Sequence, residues 1–134
     1  MNMDNYSIKG DSRGSLIALE VGVEIPFEVK RIYYIFDTKQ DVIRGCHAHK
    51  TLKQVLVCVS GACMITLDDG TKREKIHLDK PTSGLFIGPG IWREMSEFTP
   101  DAVLLVIASA HYEVSDYIHS YNEFLEIVKT GKAI

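Results

Sequence analysis

Short runs of apolar and β-branched residues, separated by turn residues, dominate the chain. Each run has the length of a β-strand, and they lie at 16–20, 31–37, 54–59, 63–67, 72–77, 84–87, 91–97 and 102–108. The run 54–59 is apolar on both faces, which predicts a strand at the centre of a packed sheet. Asp69-Gly70 predicts a two-residue hairpin turn. About ten short strands with regular turns indicate an all-β sandwich or barrel.

One segment near the C-terminus has the pattern of a helix instead. Ser120 and Glu123 have the spacing of a capping box, and Gly131 stands where a helix is expected to end. An amphipathic stripe with helical spacing is formed by Tyr121, Phe124, Leu125 and Val128. The pattern predicts a short C-terminal α-helix that covers a sheet face or a barrel mouth.

Composition narrows the class of protein without naming a function. A chain of 134 residues with 46% hydrophobic and 25% charged residues fits a single soluble domain, 1–134. The net charge of −3 gives no indication of nucleic-acid or anionic-membrane binding. No apolar stretch is long enough to span a membrane, and residues 1–5 do not resemble a signal peptide. The three cysteines lack zinc-type spacing, so we expect a reduced, cytoplasmic protein in which Cys58 and Cys63 are buried.

The most informative segment is RGCHAH at 44–49, followed by Gln54 and Gly61. His47 and His49 are two residues apart, so on a strand both side chains point to the same face. This spacing of two histidines, an acid-sized residue and a glycine is that of the first metal-binding motif of cupins. With the strand pattern, it predicts a cupin-type double-sheet jelly roll.

Two of the four ligands expected of a metal cupin are missing. Gln54 stands where the carboxylate is expected, and Arg93, at the end of GPGIWR (88–93), stands where the last histidine is expected. Arginine stays protonated and would repel a divalent cation. Two histidines alone are a poor site for zinc or iron. The sequence therefore predicts a site that holds no metal and needs no cofactor.

Two histidines, an amide and an arginine suit acid–base chemistry. Histidine can take up and return a proton near neutral pH, and Arg93 can hold a phosphate or an enolate-like oxygen. Gln54 can bond a sugar hydroxyl or fix a histidine tautomer, or it is only structural. Alternation points Arg44 away from the histidines, unless Gly45 bulges the strand and re-aims it or Arg44 lies at the barrel rim.

Further candidates have weaker support from the pattern. Arg13 and Arg31 could contact a phosphate, with a solvated surface charge as the alternative for each. Tyr33, Tyr34 and Trp92 could stack on a base or a sugar, with core packing as the alternative.

The chain resembles the dTDP-4-keto-6-deoxyglucose 3,4-ketoisomerases, which are small cupins. The matching segments are RGCHAHK at 44–50, QVLVCVSG at 54–61, DDG at 68–70, GLFI at 84–87, WREM at 92–95 and DYI at 116–118. The resemblance extends from about Gly10 to the C-terminal helix, and its first two segments are the most specific. A resemblance to the sugar-nucleotide 3,5-epimerases is weaker.

The resemblance implies an isomerase that moves the carbonyl of a dTDP-linked 4-keto-6-deoxyhexose from C4 to C3 through an enediol, without a metal. It implies His49 as the base that removes the C3 proton and His47 as the proton shuttle. A tyrosine of the preceding strand, Tyr33 or Tyr34, and the arginine before the motif, Arg44, contribute. It also implies a homodimer with exchanged N-terminal strands and a role in making 3-amino-3,6-dideoxyhexoses for bacterial surface glycans.

Three other functions remain open from the sequence. A 3,5-epimerase would act on the same substrate, and a non-catalytic cupin would bind a sugar nucleotide or another small ligand without changing it. A metal-dependent dioxygenase is disfavoured by Gln54 and Arg93. The C4 configuration of the product depends on pocket geometry that the sequence does not determine.

Overall fold

The computed structural model describes residues 2–131, and within this range the chain forms twelve β-strands, one short 3-10 helix (Val114–Asp116) and one α-helix. The strands are β1 (Asn2–Asn5), β2 (Lys9–Asp11), β3 (Gly14–Leu16), β4 (Arg31–Ile35), β5 (Arg44–His49), β6 (Gln54–Ser60), β7 (Cys63–Asp68), β8 (Arg73–Leu78), β9 (Ser83–Ile87), β10 (Trp92–Ser96), β11 (Val103–Ala108) and β12 (Tyr117–Ile118), and the helix is α1 (Tyr121–Thr130).

Two five-stranded antiparallel sheets form the body of the protein. Their strand orders are β1-β9-β6-β11-β4 and β12-β5-β10-β7-β8. Leu56, Leu85 and Leu104 of the first sheet pack against Ile65 and Met95 of the second in one buried core. The predicted all-β double-sheet fold is confirmed, and β6 is the central strand of its sheet, as its apolar faces indicated.

Strand β5 lies between β10 and β12, and it carries both histidines. Its pairing with β10 shifts register between the pairs Arg93–His47 and Met95–Arg44, so β5 has one extra residue there. Gly45 lies in this bulge with a φ of +67°, a left-handed conformation that glycine adopts without steric cost. The structure thus contains the bulge that was one of the possibilities for Gly45.

The C-terminal helix begins and ends where the sequence indicates. The Ser120 hydroxyl accepts a hydrogen bond from the backbone N–H of Glu123 at 3.2 Å, and Gly131 ends the helix in the left-handed conformation. Phe124 is fully buried against Trp92. The Tyr121 hydroxyl donates to the Asp68 carboxylate at 2.6 Å, which connects the helix to the second sheet.

Two local predictions were wrong. The strand expected at 16–20 ends at Leu16, and residues 17–20 have no regular structure. The turn at Asp69 has four residues between the paired Asp68 and Arg73 instead of two. The Asp69 carboxylate accepts hydrogen bonds from the backbone N–H groups of Thr71 and Lys72, which stabilises the longer turn.

The hairpin formed by β2 and β3 stands apart from the two large sheets. Its strands pair with each other, and all six of their residues are exposed. No helix among residues 2–131 has both the length and the apolar character needed to cross a bilayer.

Candidate active site

His47 and His49 share one face of β5 because they are two residues apart on the strand. This face lies toward the first sheet, since Arg93, which is paired with His47, bonds Gln54 of β6. Their Nε2 atoms are 3.0 Å apart, which is a hydrogen bond between the two rings. His49 is 1% exposed, whereas His47 is half-buried. The ring of Tyr117 packs against both imidazoles, with centroid distances of 4.9 Å to His47 and 4.4 Å to His49.

The second ring nitrogen of His49 bonds to a carboxylate. Its Nδ1 lies 3.0 Å from Oδ2 of Asp116, which ends the 3-10 helix just before β12. The other oxygen, Oδ1, accepts hydrogen bonds from the backbone N–H and the hydroxyl of Thr51, at 2.8 and 2.9 Å. β12 pairs with β5 so that Tyr117 lies opposite His49. Asp116 directly precedes Tyr117, and this places its carboxylate next to the imidazole of His49.

A buried arginine lies beside the histidines. Arg93 on β10 is paired directly with His47 on β5 and is 0% exposed. Its guanidinium donates to Oε1 of Gln54 and to the carbonyl of Ile91, and its Nε has no hydrogen-bond partner in the described part of the chain. Nε2 of Gln54 donates to the hydroxyl of Tyr33 at 3.1 Å, so the two side chains extend the network across to the first sheet.

Burial and positive charge keep both histidines neutral. Burial is the main cause that lowers the pKa of His47 to about 3, and the Arg93 charge adds to it. The same two causes lower the pKa of His49 to about 4, partly opposed by Asp116. Burial raises the pKa of the Tyr33 hydroxyl. At neutral pH the site therefore offers two uncharged imidazoles and a protonated phenol beside a fixed cation.

Two cavities open next to the histidine pair. The larger, of about 590 Å³, includes His49 and Asp116 in its lining. Arg31 lies over the ring of Tyr33 at 5.1 Å and over that of Tyr112 at 5.6 Å, and both Arg31 and Tyr112 line this larger cavity. A flat cationic and aromatic surface of this kind suits a nucleobase or a phosphate.

The smaller cavity, of about 360 Å³, lies on the side of His47. Tyr33, Arg44 and Met95 are among its lining residues. Arg44 is exposed and stands at the rim, just before the Gly45 bulge. The structure thus places Arg44 beside a cavity that His47 also lines, where its charge can meet an anionic ligand.

Three candidate residues lie away from the histidines. Tyr34 is on the opposite face of β4 from Tyr33 and 62% exposed, and it is one of the residues that line the smaller cavity. Trp92 is 3% exposed, packs on Tyr121 and Phe124, and donates its indole N–H to Glu94. The expectation that Trp92 stacks on substrate is corrected, because the side chain next to Arg93 on a strand must face the other way.

Arg13 lies at the tip of the exposed β2–β3 hairpin. Its guanidinium pairs with Asp11 of the same hairpin at 2.6 Å. It contacts neither histidine, Arg93 nor the residues around them within this chain.

Asp116 and Tyr117 have no role in the sequence-based site, although both lie in the segment DYI that supports the family resemblance. Asp116 lies 67 residues from His49, and a single aspartate carries no spacing signal of its own. His119 stacks on Tyr117 at 5.3 Å and was likewise not expected at the site. Only the pairing of β12 with β5 brings these residues to the histidines.

The residue types and their geometry do not match a metal cupin site. Within residues 2–131 no group of three or more His, Cys, Asp or Glu side chains is arranged to hold a metal ion. Arg93 and Gln54 bond each other next to the two histidines, and a guanidinium cannot be a ligand. The donor set instead provides proton carriers and hydrogen-bond donors.

A double-sheet fold that holds two neutral histidines beside a buried arginine places the chain in the class of cupin-type proteins with an acid–base site. Over residues 1–129 the chain matches the family described as FdtA: WxcM-like, C-terminal. It is 52% identical to a TDP-4-oxo-6-deoxy-alpha-D-glucose-3,4-oxoisomerase from Aneurinibacillus thermoaerophilus. The match extends over 118 residues, which is 88% of this chain and 85% of that protein.

Solved structures give the same result. A 3,4-ketoisomerase from Helicobacter canadensis is 54% identical with a TM-score of 0.93, over 96% of each chain. A variant of the 3,4-ketoisomerase QdtA from Thermoanaerobacterium thermosaccharolyticum, in complex with TDP-4-keto-6-deoxyglucose, is 38% identical with a TM-score of 0.94, over 99% of this chain and 96% of that one. The chain belongs to the FdtA-like family of sugar 3,4-ketoisomerases, and the family expected from the sequence is confirmed.

Proposed function

We propose that this protein converts TDP-4-keto-6-deoxyglucose to its 3-keto isomer through an enediol. The observation that carries the proposal is the pair of neutral, hydrogen-bonded histidines beside a fully buried arginine, in a chain 52% identical to an oxoisomerase of that name. Moving a carbonyl by one carbon needs a base, a second proton carrier and a charge that steadies the enediolate. It needs no redox cofactor.

The geometry supports a reversal of the histidine roles expected from the resemblance. Both ring nitrogens of His49 are bonded, one to Asp116 and one to His47, and its side chain is 1% exposed. His47 is half-buried and lines a cavity. These contacts favour His47 as the base that removes the C3 proton and His49 as the carrier behind it.

Arg93 and Tyr33 supply the remaining functions. The Arg93 guanidinium is a fixed positive charge in a dry site, where it stabilises the negative oxygen of the enediolate more strongly than it would in water. Tyr33 keeps its proton because burial raises its pKa, so its hydroxyl can donate to a sugar oxygen. Arg31 and Arg44 stand at the two cavity openings and are the candidates for the diphosphate.

Product analysis by NMR tests the reaction directly. Incubating the purified protein with TDP-4-keto-6-deoxyglucose in D2O should give a product with its carbonyl at C3 and deuterium at C4. An inverted, deuterated C5 would indicate a 3,5-epimerase, and an unchanged sugar that still binds would indicate a binding protein. The coupling constant between H4 and H5, measured on product made in H2O, would also give the C4 configuration.

Variants connect that reaction to the histidines. His47→Asn and His49→Asn should each abolish turnover while the protein still folds and binds TDP. His77→Asn is the matched control, because His77 is exposed on β8 at the far edge of the second sheet. Near-normal turnover in both site variants would contradict the assignment.

We also propose that the protein is a homodimer and that its N-terminal strands form part of the interface. Strand β4 is the last strand of its sheet, and its outward side chains Ile32 and Tyr34 are 60% and 62% exposed. A second copy would cover this apolar edge and give the isolated β2–β3 hairpin, with Arg13 at its tip, a surface to pack on. Light scattering coupled to size-exclusion chromatography would detect the dimer, and a monomer at micromolar concentration would contradict it.

A further inference from the structure

A continuous chain of hydrogen bonds runs from the backbone of Thr51 to His47. Thr51 donates twice to Oδ1 of Asp116, Oδ2 of Asp116 bonds Nδ1 of His49, and Nε2 of His49 bonds Nε2 of His47. All the distances lie between 2.8 and 3.0 Å. The proposed reaction uses the two histidines but assigns nothing to Asp116.

The carboxylate fixes which nitrogen of each ring carries the proton. Asp116 is ionised near neutral pH, since the hydrogen bonds it accepts from Thr51 and its contact with His49 keep its carboxyl pKa below the usual range, despite burial. An ionised carboxylate only accepts, so Nδ1 of His49 must carry its proton. Nε2 of His49 then has the lone pair, and Nε2 of His47 must donate to it. The free lone pair of the system is consequently on Nδ1 of His47.

The position of Asp116 is itself fixed. Its carbonyl accepts a hydrogen bond from Lys50 at 2.9 Å and its N–H donates to the Glu113 carbonyl at 3.1 Å, so backbone bonds hold the residue on both sides. The two hydrogen bonds from Thr51 orient the carboxylate toward His49. Two hydrogen bonds to the backbone and two to the carboxylate keep the side chain in one orientation, which is what fixing a tautomer requires.

Charges around His49 explain why a carboxylate is needed there. Arg93 and Arg31 both disfavour a protonated His49, and Asp116 opposes them. The other rings that pack near the two histidines, those of Tyr117 and His119, supply no carboxylate. A proton arriving at His49 without Asp116 would leave a buried imidazolium close to a buried guanidinium, which is costly.

We propose that Asp116 is a positioning residue, which fixes the tautomers of both histidines and balances the charge of the proton removed from the sugar. The inference rests on the proposed ketoisomerase reaction. The C3 proton passes to Nδ1 of His47 as the C–H electron pair moves into the enediolate, and the Nε2 proton of His47 passes to Nε2 of His49. His47 is then neutral and His49 is an imidazolium paired with Asp116. Once the Nδ1 proton of His47 has exchanged with solvent, reversing both transfers delivers a proton to C4. The proton of the C3 hydroxyl passes to the oxygen on C4, so the carbonyl forms at C3.

The test combines a spectroscopic readout with kinetics. In the protein labelled with ¹⁵N histidine, two-dimensional NMR near pH 7.5 should show His49 protonated on Nδ1 and His47 protonated on Nε2. Asp116→Asn should lose this fixed pattern and lower kcat by about 10- to 100-fold, with TDP affinity nearly unchanged. Asp79→Asn is the matched control: this carboxylate lies 3.8 Å from Nδ1 of the exposed His77, away from the site. Its loss should leave kcat and the tautomers of His47 and His49 as they are.

Each outcome either supports or overturns the role proposed for Asp116. Wild-type His49 protonated on Nε2 would overturn the proposal without any variant, even if Asp116→Asn fails to fold. An unchanged tautomer pattern in Asp116→Asn, or a changed pattern with normal kcat, would also overturn it. Because the tautomers are measured without substrate, a wild-type protein that fails to isomerise the sugar refutes the proposed function separately from the hydrogen-bond arrangement.

Discussion

As the pH is lowered, the free energy of unfolding of this protein should begin to fall at pH values well above those at which its carboxylates titrate. The pKa values of His47 and His49 fall from the ordinary 6.5 to about 3 and about 4 in the folded protein. Between these values and 6.5 the unfolded chain binds protons that the folded chain does not, so the free energy of unfolding falls as pH falls. The loss begins near pH 6.5 and continues down to the folded pKa values.

The size of the effect follows from the same pKa values. At about pH 5.5 each histidine is about nine-tenths protonated in the unfolded chain and almost unprotonated in the folded one, which costs about 1.3 kcal/mol per histidine. The pair should therefore lower the free energy of unfolding by about 2.5 kcal/mol between about pH 7.5 and 5.5. Asp68 and Asp116 have lowered pKa values, so the stability they contribute is lost only below the ordinary carboxylate range.

Urea unfolding at a fixed protein concentration measures this difference. Trp92 is the single tryptophan and is buried, so its fluorescence reports unfolding. The variant with both His47→Gln and His49→Gln should lose most of the pH dependence, whereas His77→Gln, which changes an exposed histidine, should keep it. Equal wild-type stability at the two pH values, or greater stability at the lower one, would refute the reasoning.

Three further predictions concern the buried arginine, the C-terminal helix and metal independence. Arg93→Met should raise the pKa of both histidines, which NMR titration of their ring protons would measure. Arg93→Lys keeps the charge and should shift these pKa values less. A lower pKa after Arg93→Met would contradict the electrostatic argument. Tyr121→Phe removes the hydrogen bond to the Asp68 carboxylate and should cost about 1–2 kcal/mol of stability with turnover unchanged; an unaltered unfolding midpoint would argue against that contact. EDTA should leave turnover unchanged, whereas activity that is lost on chelation and restored by one metal would support a metal cupin.

Much of the fold could be predicted because strands and helix ends depend on local pattern. The two apolar faces of β6 marked the centre of a sheet, and Ser120 and Gly131 marked the helix ends. At the Asp69 turn, hydrogen bonds to the Asp69 carboxylate override the two-residue turn that the sequence indicates. Residues 17–20 have an apolar pattern but no partner strand to pair with in the part of the chain that the structure describes. A period of two cannot show whether such a segment finds a partner strand.

The sequence alone determined that His47 and His49 share one face and that Gln54 and Arg93 replace two metal ligands, because strand alternation and residue chemistry are local properties. Which face turns inward is a property of the closed pair of sheets. The tertiary structure therefore decided that Tyr33 and not Tyr34 meets the network, and that Trp92 packs on the helix. It also brought Asp116 to His49 across 67 residues, since only the pairing of β12 with β5 makes them neighbours.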